Sequence, residues 1–403
     1  MRLLWQKITK TSHKRELLIL SLALLLIIPF NQGIANRVNF LLYGAVIILV
    51  SLLVLLDRKQ KLLLQNQFLI ASVVVLIAWI FASTLWSYNK YSALSTAYTY
   101  GLGAIVFIVL LGLFKYQYLR RSWLWAYLSI SALSGLVGVW AITQNVIERV
   151  QFGAILANSA AGFLLPAIIM LLYGRSQLKP RSPLLKLCLV GLGLCIAIGF
   201  ILTFSRGALL CFMIATLVFV SFRYHRQLVL IYSFVTFLTF GFVLAKVNHW
   251  QISQNNQSYL TQNVFRSTTE TLHDRKIYAE SALSLFKQHP LVGAGAGSYR
   301  IVGIINQPEV YMLSTNAHAS FLQFLSEFGL IGGLLLALVV SQIGYKFWRG
   351  LHNSDSQAYI AAALALTIHF AIDIDLIYPP LIFLLVSITA LALGSTETET
   401  SNA

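Results

Sequence analysis

Three basic side chains stand where apolar sequence meets water. Arg206 lies in Ser205-Arg206-Gly207, between two hydrophobic runs with almost no loop separating them. An arginine there can snorkel toward lipid head groups as a topological anchor. Its planar fork also suits phosphate oxygens. Arg275, in Asp274-Arg275, opens an amphipathic stretch. As an exposed ion pair near a helix start it contributes little; as a second guanidinium at the membrane surface it would bind phosphate. His318 sits where a polar segment returns to apolar sequence, in Asn316-Ala317-His318-Ala319-Ser320. An interfacial histidine is commonly an amphipathic residue with a wet tip, but beside arginines it suits a general base for an incoming hydroxyl. Ser205, next to Arg206, joins the substrate-binding candidates.

The stretch His289-Pro290-Leu291-Val292-Gly293-Ala294-Gly295-Ala296-Gly297 places glycines at every second position. It lacks the preceding strand of a nucleotide-binding loop, so that function is excluded. Close backbone approach is the plain reading, and an N–H nest for an anion the sharper one; Gly293 and Gly295 are its candidates. Glu327, in an apolar run, is either satisfied by a neighbouring helix or orients the site. Asp373 and Asp375 end another apolar run before Tyr378-Pro379-Pro380. At i, i+2 on a helix they point to different faces, which makes them rim or acceptor-orienting residues, with Asp373 the substrate-binding candidate. His369, one turn inward, reads as a hydrogen-bonded packing residue.

The elements that must position these side chains are transmembrane helices. Of 403 residues 58% are hydrophobic and 10% charged, too little charge to cover a soluble surface. Apolar runs long enough to cross a hydrocarbon core of about 30 Å fall near 17–35, 39–56, 62–84, 99–114, 122–142, 153–173, 184–204, 207–222, 228–246, 319–345, 357–373 and 377–394. The expected fold is an all-α polytopic membrane protein of about twelve spans. Asn31-Gln32-Gly33 offers no small-x-small site, so the first run reads as a retained span. Cys188, Cys195 and Cys211 fall in apolar runs and read as small buried hydrophobes, with neither a disulfide framework nor a metal site.

Basic residues sort by side. One set of ends holds Arg2, Lys7, Lys10, Lys14 and Arg15, then Arg58, Lys59 and Lys61, then Lys115, Arg120 and Arg121, and later Arg175, Lys179, Arg181, Lys186, Arg223, Arg226, Lys346 and Arg349. The opposite short loops hold only Arg37, Lys90, Arg149, Arg206 and Lys246. The richer side is therefore read as cytoplasmic, with both termini there. The net charge of +16 becomes a topology signal and nucleic-acid binding is excluded. The chain divides into a membrane domain of nine spans (1–246), a large outer loop (247–318), a membrane domain of three spans (319–394) and a polar, disordered tail (395–403). Within the loop, Arg275 to Gln288 reads as an amphipathic helix carrying Tyr278, Ala282, Leu285 and Phe286 on one face, suited to lying on the membrane and stopped by Pro290.

Taken in order, four segments resemble the O-antigen ligase/polymerase family of bacterial membrane glycosyltransferases. They are Leu202-Thr203-Phe204-Ser205-Arg206-Gly207-Ala208, Asp274-Arg275 with its helix, His289 to Gly295, and Ala317-His318 through Glu327-Phe328-Gly329-Leu330-Ile331-Gly332. The family often has Asn directly after the histidine, where this chain has Ala319. The resemblance implies an inverting, metal-independent transferase without cofactor, in the bacterial inner membrane and acting at its periplasmic face. Its donor would be a polyprenyl-diphosphate-linked glycan and its acceptor lipid A–core or another glycan. Arg206 and Arg275 would clamp the diphosphate, and His318 would activate the acceptor hydroxyl. Open alternatives are a polymerase or protein O-glycosyltransferase of the same family and, from another class, an inorganic-carbon transporter. A transporter should concentrate broken helices near mid-membrane.

Overall fold

The computed structural model describes residues 66–144, 149–151, 156–173, 182–223, 268–307, 313–351, 353–373 and 375–400, with Gly44, Ile48 and Leu178 as isolated positions. The expected spans 17–35 and 228–246, nearly all of 39–56, loop residues 247–267 and both chain termini lie outside the described residues. Among the described residues the regular elements are helices, with no strand. They are α1 (Gln67–Ser83), α2 (Lys90–Leu113), α3 (Gln117–Thr143), α4 (Ala157–Tyr173), α5 (Pro183–Ile201), α6 (Arg206–Arg223), α7 (Thr268–Gln288), α8 (Tyr299–Ile305), α9 (Ser320–Gly350), α10 (Ser354–Ile372), a short 3-10 turn (Asp375–Ile377) and α11 (Pro379–Thr400). Five of these, α2, α3, α5, α9 and α11, are long and apolar enough to cross a membrane, while α1, α4, α6 and α10 are apolar but shorter. All-helical among the described residues, the chain is an integral membrane protein.

Local chemistry sets several boundaries that hydropathy misplaced. α2 begins at Lys90, ahead of the expected 99, because the Asn89 side chain accepts from Ser92 N at 2.9 Å and caps the first turn. α11 continues through Thr400, so Ser395–Thr400 is helical, not part of a disordered tail. α7 starts seven residues before Arg275. Its apolar face does not lie on a membrane: Ala282 and Leu285 are buried against Ala294, Tyr299 and Ala317, and Tyr278 is buried with its ring on His318. A stripe that looks lipid-seeking in sequence is covered by the rest of its own loop.

α10 and α11 form the middle of the bundle, with α4 and α6 packed on α10, α2 on α11, and α1 on α9. α5 stands at the periphery against α3 and α4, turning Leu184, Leu187, Val190 and Leu194 outward, as a lipid-facing helix should. Cys188 shares this exposed position, Cys195 is half-buried and only Cys211 is buried, so the uniform expectation for the cysteines fails at Cys188.

The connections sort into two ends. At one, Arg120 is buried and donates to the carbonyls of Phe114 (2.5 Å) and Gly394 (3.0 Å), while Asn353 reaches the Ser395 carbonyl. Arg120 was counted as a topology charge; it also locks three helix ends together. At the other end Gly295 of the glycine-rich loop meets Ser87 between α1 and α2, Arg149 meets the α5–α6 turn at Thr203, and Arg275 of α7 meets Asp373 just after α10.

That loop explains an interruption in α9. Gly329 has φ +66° and ψ −169°, a conformation essentially reserved for glycine, and it breaks the helix. Every backbone group released by a break inside a membrane needs a protein partner. Ala294 N donates to Ser326 O at 2.9 Å and Gly295 N to Glu327 O at 2.8 Å, while Trp79 Nε1 donates to Phe328 O at 3.0 Å. Beyond the break, Leu330 N and Ile331 N donate to Pro290 O and Leu291 O at 2.8 and 3.1 Å. The two backbones touch at Gly293 and Gly329, where no side chain fits on either strand. Replacing Gly329 by alanine is therefore expected to destabilise the protein by about 3 kcal/mol or more. Thermal unfolding of the purified protein in detergent reads this, and an unchanged melting temperature would refute the stitched break.

Candidate functional site

The turn between α5 and α6 delivers Arg206. Phe204 has φ +50°, unusual for a residue with a side chain. Thr203 Oγ1 donates to Phe200 O at 2.6 Å, and Ser205 Oγ accepts from Ala208 N at 3.3 Å. Ser205 is thus the N-cap of α6, and its hydroxyl fixes the turn that presents Arg206. Next to it, Gly207 packs against Ile372 at the end of α10, which brings Asp373 to the same corner.

Asp373 is the hub. Its side chain is almost wholly buried and accepts from Arg275 Nη2 at 3.3 Å, with His318 Nδ1 at 3.8 Å from the other oxygen. Its carbonyl takes the Ser320 hydroxyl at 2.8 Å, tying the start of α9 to the end of α10. The helix ends before Asp373, so the expected divergence of Asp373 and Asp375 comes from the turn and not from helical periodicity. His318 adopts φ +48°, stacks on Tyr278 with ring centroids 5.3 Å apart, and has a buried Nδ1 without a hydrogen-bond partner. Burial pushes its imidazole below the usual histidine range; Asp373 pulls it back up and Arg275 pushes it further down. Arg206 lies close enough to Arg275 for their charges to repel. Thus Arg206, Arg275, His318 and Asp373, spread widely in sequence, meet in one cluster.

Gly293, Gly295 and Glu327 belong to the lock beneath it. The N–H groups from Gly293 to Gly297 all find protein acceptors: His289 O, Ser326 O, Glu327 O, Ser83 Oγ and Glu327 Oε2. The loop serves close backbone approach and offers no anion nest. Glu327 reaches the cluster indirectly, through Gln323, which donates to Glu327 Oε1 at 3.4 Å and accepts from Ala317 N at 3.1 Å.

Two features escaped the sequence reading. His369 and Asp375 are fully buried and joined directly through Nδ1 and Oδ2, packed on Gly162 of α4; His369 is the hydrogen-bonded packing residue expected, but its partner is Asp375, which was read as a rim residue. Arg149 also joins the cluster. Burial and the nearby Arg206 lower its guanidinium to about 10, with Asp373 opposing. Its signal was visible as one of few basic residues on the sparsely charged side. Lys90 carried the same signal, but it clamps the Thr84 and Leu85 carbonyls at the end of α1.

Residues 191–337 match the family model described as O-Antigen ligase. This stretch of the chain is similar to the O-antigen ligase family. No curated protein matches it. The ligase-family match takes in Arg206, Arg275, His318 and the stitched break, while Arg149, Asp373 and the His369–Asp375 pair lie outside it. Members of the family are membrane glycosyltransferase-like enzymes. Ala319, where the family often has Asn, is the N-cap of α9 and makes no side-chain cap bond. Ala319→Asn should therefore stabilise the protein by about 1 kcal/mol. A melting temperature that stays level or falls would show that the amide has no capping role there.

Proposed function

We propose that this protein transfers a glycan from a polyprenyl-diphosphate carrier to a hydroxyl of lipid A–core at the periplasmic face of the inner membrane. The observation that carries the reading is the meeting of Arg275 and His318 at Asp373, with Arg206 close enough to Arg275 for their charges to repel. Two guanidiniums suit a diphosphate, and their attraction grows as charge builds on the departing group. His318 takes the proton of the acceptor hydroxyl while its oxygen attacks the anomeric carbon opposite the diphosphate. The C–O bond to the carrier breaks, its electron pair leaves with the diphosphate, and configuration inverts. In this scheme the arginines supply the positive charge and no metal takes a step. Orientation follows from the basic residues concentrated at the opposite end.

Two structural details support transfer over transport. The break in α9 is the kind of feature a transporter would use to hold an ion, yet its released groups are occupied by protein. The cluster of Arg275, His318 and Asp373 stands instead at the rim, just outside the ends of α9 and α10.

Arg206→Ala and Arg275→Ala should each lower transfer by about a hundredfold or more, and His318→Ala by a hundredfold to ten-thousandfold, with membrane insertion normal. The readout is labelled glycan appearing on lipid A–core in proteoliposomes. Lengthening of the lipid-linked chain instead would establish the polymerase, and full activity in all three variants would sink the assignment. The pH profile gives a second check. Transfer needs neutral imidazole, so kcat/KM should fall as pH drops through the lowered His318 pKa. Asp373 favours the charged imidazole and Arg275 disfavours it. Asp373→Asn should therefore move the acidic limb to lower pH, and Arg275→Gln should move it higher. Identical limbs in wild type and variants would remove His318 as the base.

A further inference from the structure

We infer that Arg149 is a third guanidinium of the diphosphate-binding cluster, held ready by neutral groups. The inference deepens the transfer reading and rests on it. Arg149 donates through Nε to the Thr203 carbonyl at 2.7 Å and through Nη2 to Asn158 Oδ1 at 2.9 Å. Thr203 belongs to the turn that presents Arg206, and Val150 N donates to Leu202 O at 2.9 Å in the same turn. The side chain is thus clipped inward onto the α5–α6 turn, whereas a topological anchor would reach out toward head groups.

Neither partner is an anion. A guanidinium has five N–H donors, and the two bonds to Thr203 and Asn158 leave the remaining donors without a partner among the described residues. The charged groups around Arg149 are Arg206, which repels it, and Asp373, which attracts it and is already bonded to Arg275. Asp274 lies farther along the cluster, facing His318. Three partly buried guanidiniums therefore gather against the carboxylates of Asp373 and Asp274. Like charges at such a site raise one another's energy. A ligand with two negative charges would relieve that repulsion and use the unspent donors. A diphosphate diester has this charge and a bridging geometry wide enough to meet more than one fork.

The test uses the full-length protein in detergent and two probes: polyprenyl diphosphate, and inorganic pyrophosphate without a lipid tail. Arg149→Gln should weaken both by about tenfold or more and raise the donor KM more than it lowers kcat. Asn158→Ala, which keeps the charge but releases the fork, should weaken both by a smaller factor. A loss confined to polyprenyl diphosphate, with pyrophosphate bound as in wild type, would mean a contact to the lipid and would overturn the assignment. Binding in Arg149→Gln equal to wild type would likewise overturn it while leaving the transfer reading intact. If wild type binds neither probe, both readings fall. Should Arg149→Gln not insert, Arg149→Lys decides: it keeps one charge but loses the fork, so undiminished binding refutes the inference.

Discussion

Asp373 sets the terms on which the cluster can exist. Two arginines and a histidine crowded at the edge of a low-dielectric slab repel one another and resist burial. One buried carboxylate between Arg275 and His318 offsets part of that cost and gives both side chains a direction. It does so from the end of α10, in the middle of the bundle, so the position of the charge is fixed by the best-packed part of the protein. The Ser320 hydroxyl on the Asp373 carbonyl then joins the start of α9 to the same point. Disturbing the α10–α11 turn would misplace three functional groups at once.

Beneath this corner the His369–Asp375 pair repeats the acid–histidine motif in a drier setting. One pair faces the rim and its histidine is partly accessible; the other is sealed between α4 and α10. Burial separates an imidazole able to meet a substrate from one that can only hold a turn in place.

Much of the site was legible in the sequence because charge in an apolar chain is rare enough to be informative. Arg206, Arg275 and His318 stood out by type and by position at the ends of apolar runs, and the ordered motifs resembled one family. Other parts were hidden for physical reasons. Arg149 and Lys90 carry the same signal, and only tertiary contacts separate a guanidinium turned into the cluster from an ammonium clamping carbonyls. The amphipathic face of α7 looked suited to a membrane because hydropathy records only that a surface avoids water. Helix starts such as that of α2 depended on one capping asparagine, which a hydropathy window averages away.

The stitched break in α9 has a consequence for how this stretch of chain can vary. The helix is pinned at both ends of its first segment, at Ser320 by Asp373 and at Gly329 by the Pro290–Gly295 loop. Each residue added between two such pins would turn one against the other by about 100°. The segment thus acts as a keyed shaft: its composition can drift, but its length is locked to the angular registration of His318 with the bundle.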